Sequence, residues 1–137
     1  MKPHLWRNVL LLQFAVPALC LAAEPQVSVE LNGGEMVGDR CQLTFVVENK
    51  SKEAIDTLRL DLFVFNQEDR VFRRMVTEMG PVRGEKTVVK LYAVANPCTD
   101  IKSILVNEIT ACAPIKAEAC LDHLVLTSRM AGVRLFK

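Results

Sequence analysis

The sequence predicts an all-β protein, a sandwich of two antiparallel sheets with about seven strands and two disulfide bonds. Apolar and polar residues alternate along several short segments, which is typical of strands with one face on a core. Turn-forming residues interrupt these segments at intervals of about 8–12 residues. Four cysteines follow residue 23, and an even number in a short exported chain normally means disulfide bonds.

The predicted strands alternate with polar turns. Residues 58–64 are the clearest case, because Leu58, Leu60, Leu62 and Val64 share one face. Residues 32–40 predict a turn, and residues 114–119 predict a helix of at most one turn. The predicted strands are residues 26–31, 41–48, 57–65, 70–78, 87–95, 103–111 and 121–128, with 132–137 as an eighth candidate. Short strands with regular turns favour an immunoglobulin-like β-sandwich.

Residues 1–23 have the layout of a secretory signal peptide. Lys2 and Arg7 make the start basic, residues 9–21 are apolar, and small residues surround a cleavage site near Ala23. The apolar run is shorter than the about 20 residues of a membrane-spanning helix, and Pro17 interrupts it. We therefore expect cleavage, export to the periplasm, no stable membrane span after cleavage, and one immunoglobulin-like domain of residues 24–137.

Charge argues against nucleic acid as a partner. Loss of Lys2 and Arg7 with the signal peptide lowers the formal net charge from +1 to −1. Binding to nucleic acid needs clustered Lys and Arg side chains to displace counterions. We therefore expect no nucleic-acid partner.

The order of the strands predicts how the cysteines pair. If successive strands run in alternate directions, Cys41 and Cys98 lie at one end of the sandwich, and Cys112 and Cys120 lie at the other. The Cα atoms of bridged cysteines must come within about 7 Å, so the other two pairings would have to span the sandwich. This argument predicts the bonds Cys41–Cys98 and Cys112–Cys120.

The sequence offers few candidate catalytic or metal-binding residues. His123 is the only histidine after residue 23, so Ser/His/Asp or Cys/His catalysis would have to use it, and no nucleophile motif accompanies it. His123 and three of the cysteines could form a zinc site, but their spacing is not a recognised zinc pattern. Met75 and Met79 could bind Cu(I) together with His123, or they could fill the core. We expect no enzyme, no metal and no cofactor.

Basic side chains gather on the predicted strands 70–78 and 87–95, which we expect to pair with each other, and on the loop between them. They are Arg70, Arg73, Arg74, Arg83, Lys86 and Lys90, and Arg59 adds to them from a third strand. The favoured interpretation is charge that protects an edge strand from aggregation. The other is a docking face for an acidic partner.

The apolar residues 132–137 are a second surface candidate. Leu135 and Phe136 could add a strand to their own sheet, which we expect, or to a sheet of a partner. We therefore treat both residues as tentative partner-binding residues.

Residues 46–92 resemble small exported immunoglobulin-like domains of the FxLYD group. The shared order is a strand, an Asn-x-Ser turn, a strand that ends in an aromatic residue, another strand, a glycine-containing turn and a last strand. The wider chain is similar to uncharacterised single-domain periplasmic proteins of Gram-negative bacteria, through Cys41, Leu58–Leu62, residues 105–112 and Cys120. The resemblance implies fold and compartment, and it brings no catalytic residues.

Together these observations favour a non-catalytic periplasmic accessory or interaction protein whose partner is an envelope protein. The alternative is a periplasmic copper carrier with Met and His ligands.

Overall fold

The structure, a computed structural model, describes Pro17, Ala18 and residues 27–137. The predicted signal peptide, residues 1–23, lies outside these residues except for Pro17 and Ala18. The described residues form eight strands, one α-helix and one turn of 3-10 helix at Cys98–Asp100. The elements are β1 (Val27–Val37), β2 (Arg40–Asn49), β3 (Thr57–Phe65), β4 (Val71–Glu78), β5 (Lys86–Val94), β6 (Ser103–Ala113), α1 (Ala117–His123), β7 (Leu124–Ser128) and β8 (Arg134–Phe136).

The strands form two sheets of four. The first sheet has the order β5-β2-β1-β7, and the second has the order β4-β3-β6-β8. Two pairings at one side of the sandwich, β1 with β7 and β6 with β8, are parallel, and the other four are antiparallel. The predicted all-β sandwich is confirmed. It has eight strands because Arg134–Phe136 pairs with β6.

The core lies between the sheets and follows the period-two pattern of the sequence. The four predicted inward residues of β3, from Leu58 to Val64, are fully buried, as are Leu43, Phe45 and Val47 of β2. Burial of one such side chain stabilises the fold by about 1.5–3 kcal/mol. One polar side chain of β3, Asp61, is also buried, with 1% of its surface exposed.

Of the turn predicted at residues 32–40, only residues 38–39 form a turn. Strand β1 continues to Val37, and the chain reverses only at residues 38–39, where Gly38 adopts a φ of +63°. The Asn-Gly-Gly sequence forms an irregularity in the β1–β2 register between Leu31 and Gly33 and leaves the pairing intact on both sides. A Cβ at Gly34 would lie 2.8 Å from the Cε of Met130, so glycine permits this close packing.

The strand predicted at residues 121–128 begins only at Leu124, because the residues before it belong to α1. His123 is therefore the last residue of a helix and not a strand residue, which corrects the prediction. Helix α1 begins with Ala-Glu-Ala, and these residue types favour helix. The Nζ of Lys137 donates hydrogen bonds to the carbonyl oxygens of Leu121 and Asp122, at 2.6 and 3.2 Å, where the helix ends.

Both predicted disulfide bonds are confirmed. The Cα atoms are 4.8 Å apart in Cys41–Cys98 and 6.5 Å apart in Cys112–Cys120. The first bond joins the start of β2 to the 3-10 turn, and the second joins the end of β6 to α1. Each bond therefore ties an end of the sandwich to the connection beside it.

Candidate functional site

The two lateral sides of the sandwich differ in the length of their outermost strands. On one side β7 and β8 have five and three residues, and Ser128 Oγ donates a 2.6 Å hydrogen bond to Val133 O between them. On the other side β4 and β5 have eight and nine residues, and each pairs with one neighbour only. We call this second side, Val71–Glu78 with Lys86–Val94, the β4/β5 edge. It presents the longest free strand edges of the described residues.

Strands β4 and β5 face each other across this edge but do not pair, which corrects the prediction from sequence. After β4 the chain crosses from the second sheet to the first, and the side chains of Met79 and Val82 are fully buried in this crossover. A crossover with buried apolar anchors gives the two strands different sheets, whereas the predicted pairing would need a hairpin.

Hydrogen bonds of side chains link the two strands across the edge. Tyr92 Oη donates to the carbonyl oxygen of Glu78, and burial raises the pKa of this tyrosine. The Nζ of Lys90 donates to Gly80 O at 3.2 Å. Arg73 Nη2 lies 3.5 Å from Asn96 Oδ1 at the other end. Side-chain hydrogen bonds therefore connect the two sheets near both ends of this edge.

Two of the predicted basic residues are neutralised by partners on the outer face of the second sheet. Arg74 donates two hydrogen bonds to Asp61, from Nε at 2.8 Å and from Nη2 at 3.2 Å. These bonds hold the pKa of Asp61 below its usual value. Arg59 Nη2 lies 3.4 Å from a carboxylate oxygen of Glu78. Arg59 and Arg74 therefore do not add free positive charge to a docking face.

Five cations remain along the β4/β5 edge, and within residues 27–137 none has a carboxylate oxygen within 4.0 Å. Arg70 and Arg73 lie where β4 begins, beside the end of β5. Lys90 lies in the middle, and Arg83 and Lys86 lie where β5 begins. We call these five residues the edge cations. The edge cations are therefore distributed along the length of the edge.

Apolar side chains accompany the edge cations on β5. Val89 is 59% exposed and Leu91 is 55% exposed, on the outer face of the first sheet. Strand β5 pairs with β2 without a register shift from Cys41 opposite Val94 to Asn49 opposite Lys86. Its free edge therefore has no bulge, and it combines apolar with basic residues.

A cavity of about 530 Å³ opens where β5 begins. Residues 81–83 and 86–88 form its walls, and Ala54 and Asp56 complete it. Arg83 and Lys86 contribute to the lining of this largely apolar cavity. Its volume is within the range of about 300–1,000 Å³ that small-ligand pockets have, so it has room for a side chain from an extended peptide.

Asn49 positions the wall that carries Arg83, and reasoning from the sequence missed it. Its Nδ2 donates to the carbonyl oxygens of Glu53, Val82 and Arg83, at 2.8, 3.2 and 3.3 Å. Its Oδ1 accepts hydrogen bonds from the backbone N and the Oγ of Ser51. The sequence places Asn49 in a polar turn, yet the side chain is completely buried. Residues 82 and 83 are 33 and 34 positions away, so no local sequence pattern predicts their contact with Asn49.

The apolar residues 132–137 belong to the domain itself. Leu135 of β8 is 6% exposed and lies in the core. Phe136 is half-buried, 6.4 Å from Phe65 between ring centroids, and the guanidinium of Arg134 lies 4.4 Å from its ring centroid. Pairing with the domain's own sheet therefore occupies these residues on the side opposite the edge cations.

The candidate metal ligands are dispersed. Both methionines contact the core: Met79, directly after β4, is fully buried, and Met75 within β4 is partly buried. His123 is exposed at the end of α1. In the described part of the chain, no group of three His, Cys, Asp or Glu side chains is arranged to hold a metal ion.

No family model, curated protein or solved structure matches this chain. Of the helices within the described residues, none combines the length and apolar character that crossing a membrane requires.

Proposed function

We propose that this chain is an exported, non-catalytic interaction protein of the periplasm that binds an acidic segment of an envelope protein at the β4/β5 edge. The observation that carries the proposal is the set of five edge cations. They line a pair of long unpaired strand edges and have no carboxylate partner within the described residues. Charges of one sign along a binding face favour a partner of the other sign and exclude like-charged ones.

Export is supported by two independent features. Residues 1–23 have the composition of a cleaved signal peptide. All four cysteines of the described residues form disulfide bonds, which persist in oxidising compartments. A small domain with two such bonds suits an oxidising compartment such as the periplasm.

Site-specific photocross-linking in the envelope of the native cell tests this function. A benzophenone amino acid replaces Val89 on the β4/β5 edge in one variant and Val125 on β7 in a second variant. We expect an adduct with an acidic peptide, identified by mass spectrometry, from position 89 and not from position 125. Both wild-type side chains are exposed, so access alone does not separate the two positions.

Charge reversal provides the matched control. The double substitution Arg83→Glu/Lys86→Glu removes the adduct at position 89, whereas Lys116→Glu/Arg134→Glu, at α1 and β8, leaves it in place. The two variants change the net charge by the same amount. Equal adducts from positions 89 and 125, or an adduct that is insensitive to charge at Arg83 and Lys86, would contradict the proposal.

A further inference from the structure

We propose that β5 accepts the partner by strand addition, as an extended acidic segment with apolar residues at alternate positions that becomes a fifth strand of the first sheet. This inference rests on the proposed function and specifies how the edge is used. Strand addition satisfies the unpaired backbone groups of a sheet edge, and side chains at alternate positions supply specificity.

The two strands of the edge are not equal acceptors. The pairing of β4 with β3 shifts register between Val64 and Phe65, beside the start of β4, and such irregularities disfavour further pairing. Strand β5 keeps a continuous register with β2 over all nine residues. A strand without a bulge presents its outward N–H and C=O groups at regular spacing. Strand β5 is therefore the acceptor.

The side chains of β5 define the chemistry of the added strand. Exposed Val89 and Leu91 would pack against apolar side chains on the outer face of the new strand. Lys86, Lys90 and Arg83 would face carboxylates from it, and the cavity beside Lys86 has room for one side chain. The segment that fits is one in which Asp or Glu alternates with Val, Leu or Ile.

A second copy of this chain is a poor occupant of the same edge. A symmetric antiparallel pairing that places Val89 opposite Leu91 also places Lys90 opposite the Lys90 of the second copy. Like charges directly opposite each other destabilise paired strands. In the same register Lys86 lies opposite Val94, at the end of β5 beside Arg73, so further like charges approach each other. In this register the charges of the edge oppose self-pairing, and they favour an acidic partner.

Amide hydrogen exchange with a defined probe tests strand addition. The probe is a peptide as long as β5 in which Glu and Val alternate, added to the full exported protein purified from the periplasm. We expect exchange to slow by about tenfold or more at alternate amides of Lys86–Val94, because exchange follows the opening of hydrogen bonds. A peptide with Lys in place of Glu gives no protection.

Two N-methylated forms of the Glu-Val peptide distinguish strand addition from electrostatic adhesion. A strand has two edges, so N-methylation of one alternate set of residues abolishes binding, and methylation of the other set leaves it unchanged. Equal binding of both forms overturns strand addition. So does failure of the unmodified peptide to bind a protein whose native partner still cross-links at position 89. In both cases the proposed function stands.

The absence of an adduct between position 89 and an acidic segment of an envelope protein in the native cell would instead overturn the proposed function itself. Protection of alternate β5 amides in the protein without peptide, rising with concentration and matched by a dimer in light scattering, would identify a second copy as the occupant and overturn the acidic partner. Arg83→Glu/Lys86→Glu weakens peptide binding at least about tenfold, which is the loss of one or two charge-assisted contacts. Lys116→Glu/Arg134→Glu does not change it.

Discussion

Arg74 covers Asp61, and the two side chains share a bidentate ion pair on the outer face of the second sheet. Nε–Oδ1 and Nη2–Oδ2 distances are 2.8 and 3.2 Å, and Asn107 Nδ2 donates to the same carboxylate at 3.3 Å. Arg74 remains largely exposed, whereas the side chain of Asp61 is 2% exposed. A buried carboxylate is thus kept ionised by a surface arginine, whose guanidinium also lies over the ring of Phe63.

This pair makes stability depend on pH on the acid side. Hydrogen bonds from Arg74 lower the pKa of Asp61, so the folded state binds fewer protons at this site than the unfolded state. The stabilisation is present above the unfolded pKa of about 3.9 and is lost as the pH falls through the lower folded pKa. We expect Asp61→Asn to cost about 1–3 kcal/mol at pH 7 and to reduce the acid-side loss, measured by urea unfolding at several pH values.

Asp69→Asn is the matched control, because Asp69 pairs with Lys102 at 2.7 Å but is 69% exposed. Exposed pairs contribute about 0–1 kcal/mol, so this variant keeps the acid-side loss of the wild type. If Asp61→Asn lost stability in acid as steeply as the wild type, the buried pair would not be the cause of that loss.

The two disulfide bonds should differ in their contribution to stability. In the chain-entropy description, the bond Cys41–Cys98, with a sequence separation of 57, contributes about 4 kcal/mol. The bond Cys112–Cys120, with a separation of 8, contributes about 2.5 kcal/mol. Urea unfolding of the two double alanine variants measures both values. An equal or larger cost for Cys112→Ala/Cys120→Ala would mean that native contacts around α1, and not loop closure, dominate.

Asn49→Asp should disturb the wall of the cavity without removing volume. The new carboxylate would face the carbonyl oxygens of Glu53, Val82 and Arg83 in a buried site and could donate to none of them. We expect a loss of about 2–4 kcal/mol at pH 7, measured by chemical unfolding, and partial recovery as the pH is lowered and the carboxylate gains a proton.

Asn66→Asp provides a control with the same chemical change. The Oδ1 of Asn66 accepts hydrogen bonds from the backbone N of Glu68 and Arg70, and a carboxylate accepts them equally well. This variant should unfold within about 0.5 kcal/mol of the wild type. Equal losses in both variants would remove the special role assigned to Asn49.

Lys90→Val should make the protein associate with itself. The substitution removes the central charge of β5 and leaves a continuous apolar run from Val88 to Val94, broken by no charge. Straight apolar edge strands without charge pair with one another. Size-exclusion chromatography with light scattering should detect dimers or larger species at concentrations where Lys116→Val stays monomeric. A monomeric Lys90→Val variant would mean that the other edge cations suffice.

The sequence predicts most of this fold because its strands carry local signals. The alternation of residues 57–65 depends only on neighbouring residues, and it located β3 correctly. The pairing of the cysteines followed from strand direction alone. The partner of β4 could not be predicted, because alternation is the same in a hairpin and in a crossover between sheets. That choice depends on the burial of Met79 and Val82 against residues distant in sequence.

The sequence predicts which basic residues belong to the candidate site, but it does not predict which of them have acidic partners. The sequence identified the basic residues, but Arg59 and Arg74 have acidic partners that lie on other strands or at their ends. Asn49 was missed because its acceptors at residues 82 and 83 lie more than thirty positions away. In the sequence alone, residues whose roles depend on such distant contacts cannot be distinguished from ordinary turn or surface residues.

The short strands β7 and β8 limit the number of partner strands in the complex proposed at the β4/β5 edge. Both ends of β7 are tied to the segment that follows it, through Leu124 O to Lys137 and through Ser128 to Val133. A strand added to β5 therefore finds no equally long acceptor at the far end of the same sheet. In the proposed complex one partner strand would therefore bind per domain, and the molecule would terminate an assembly instead of extending it into a fibre.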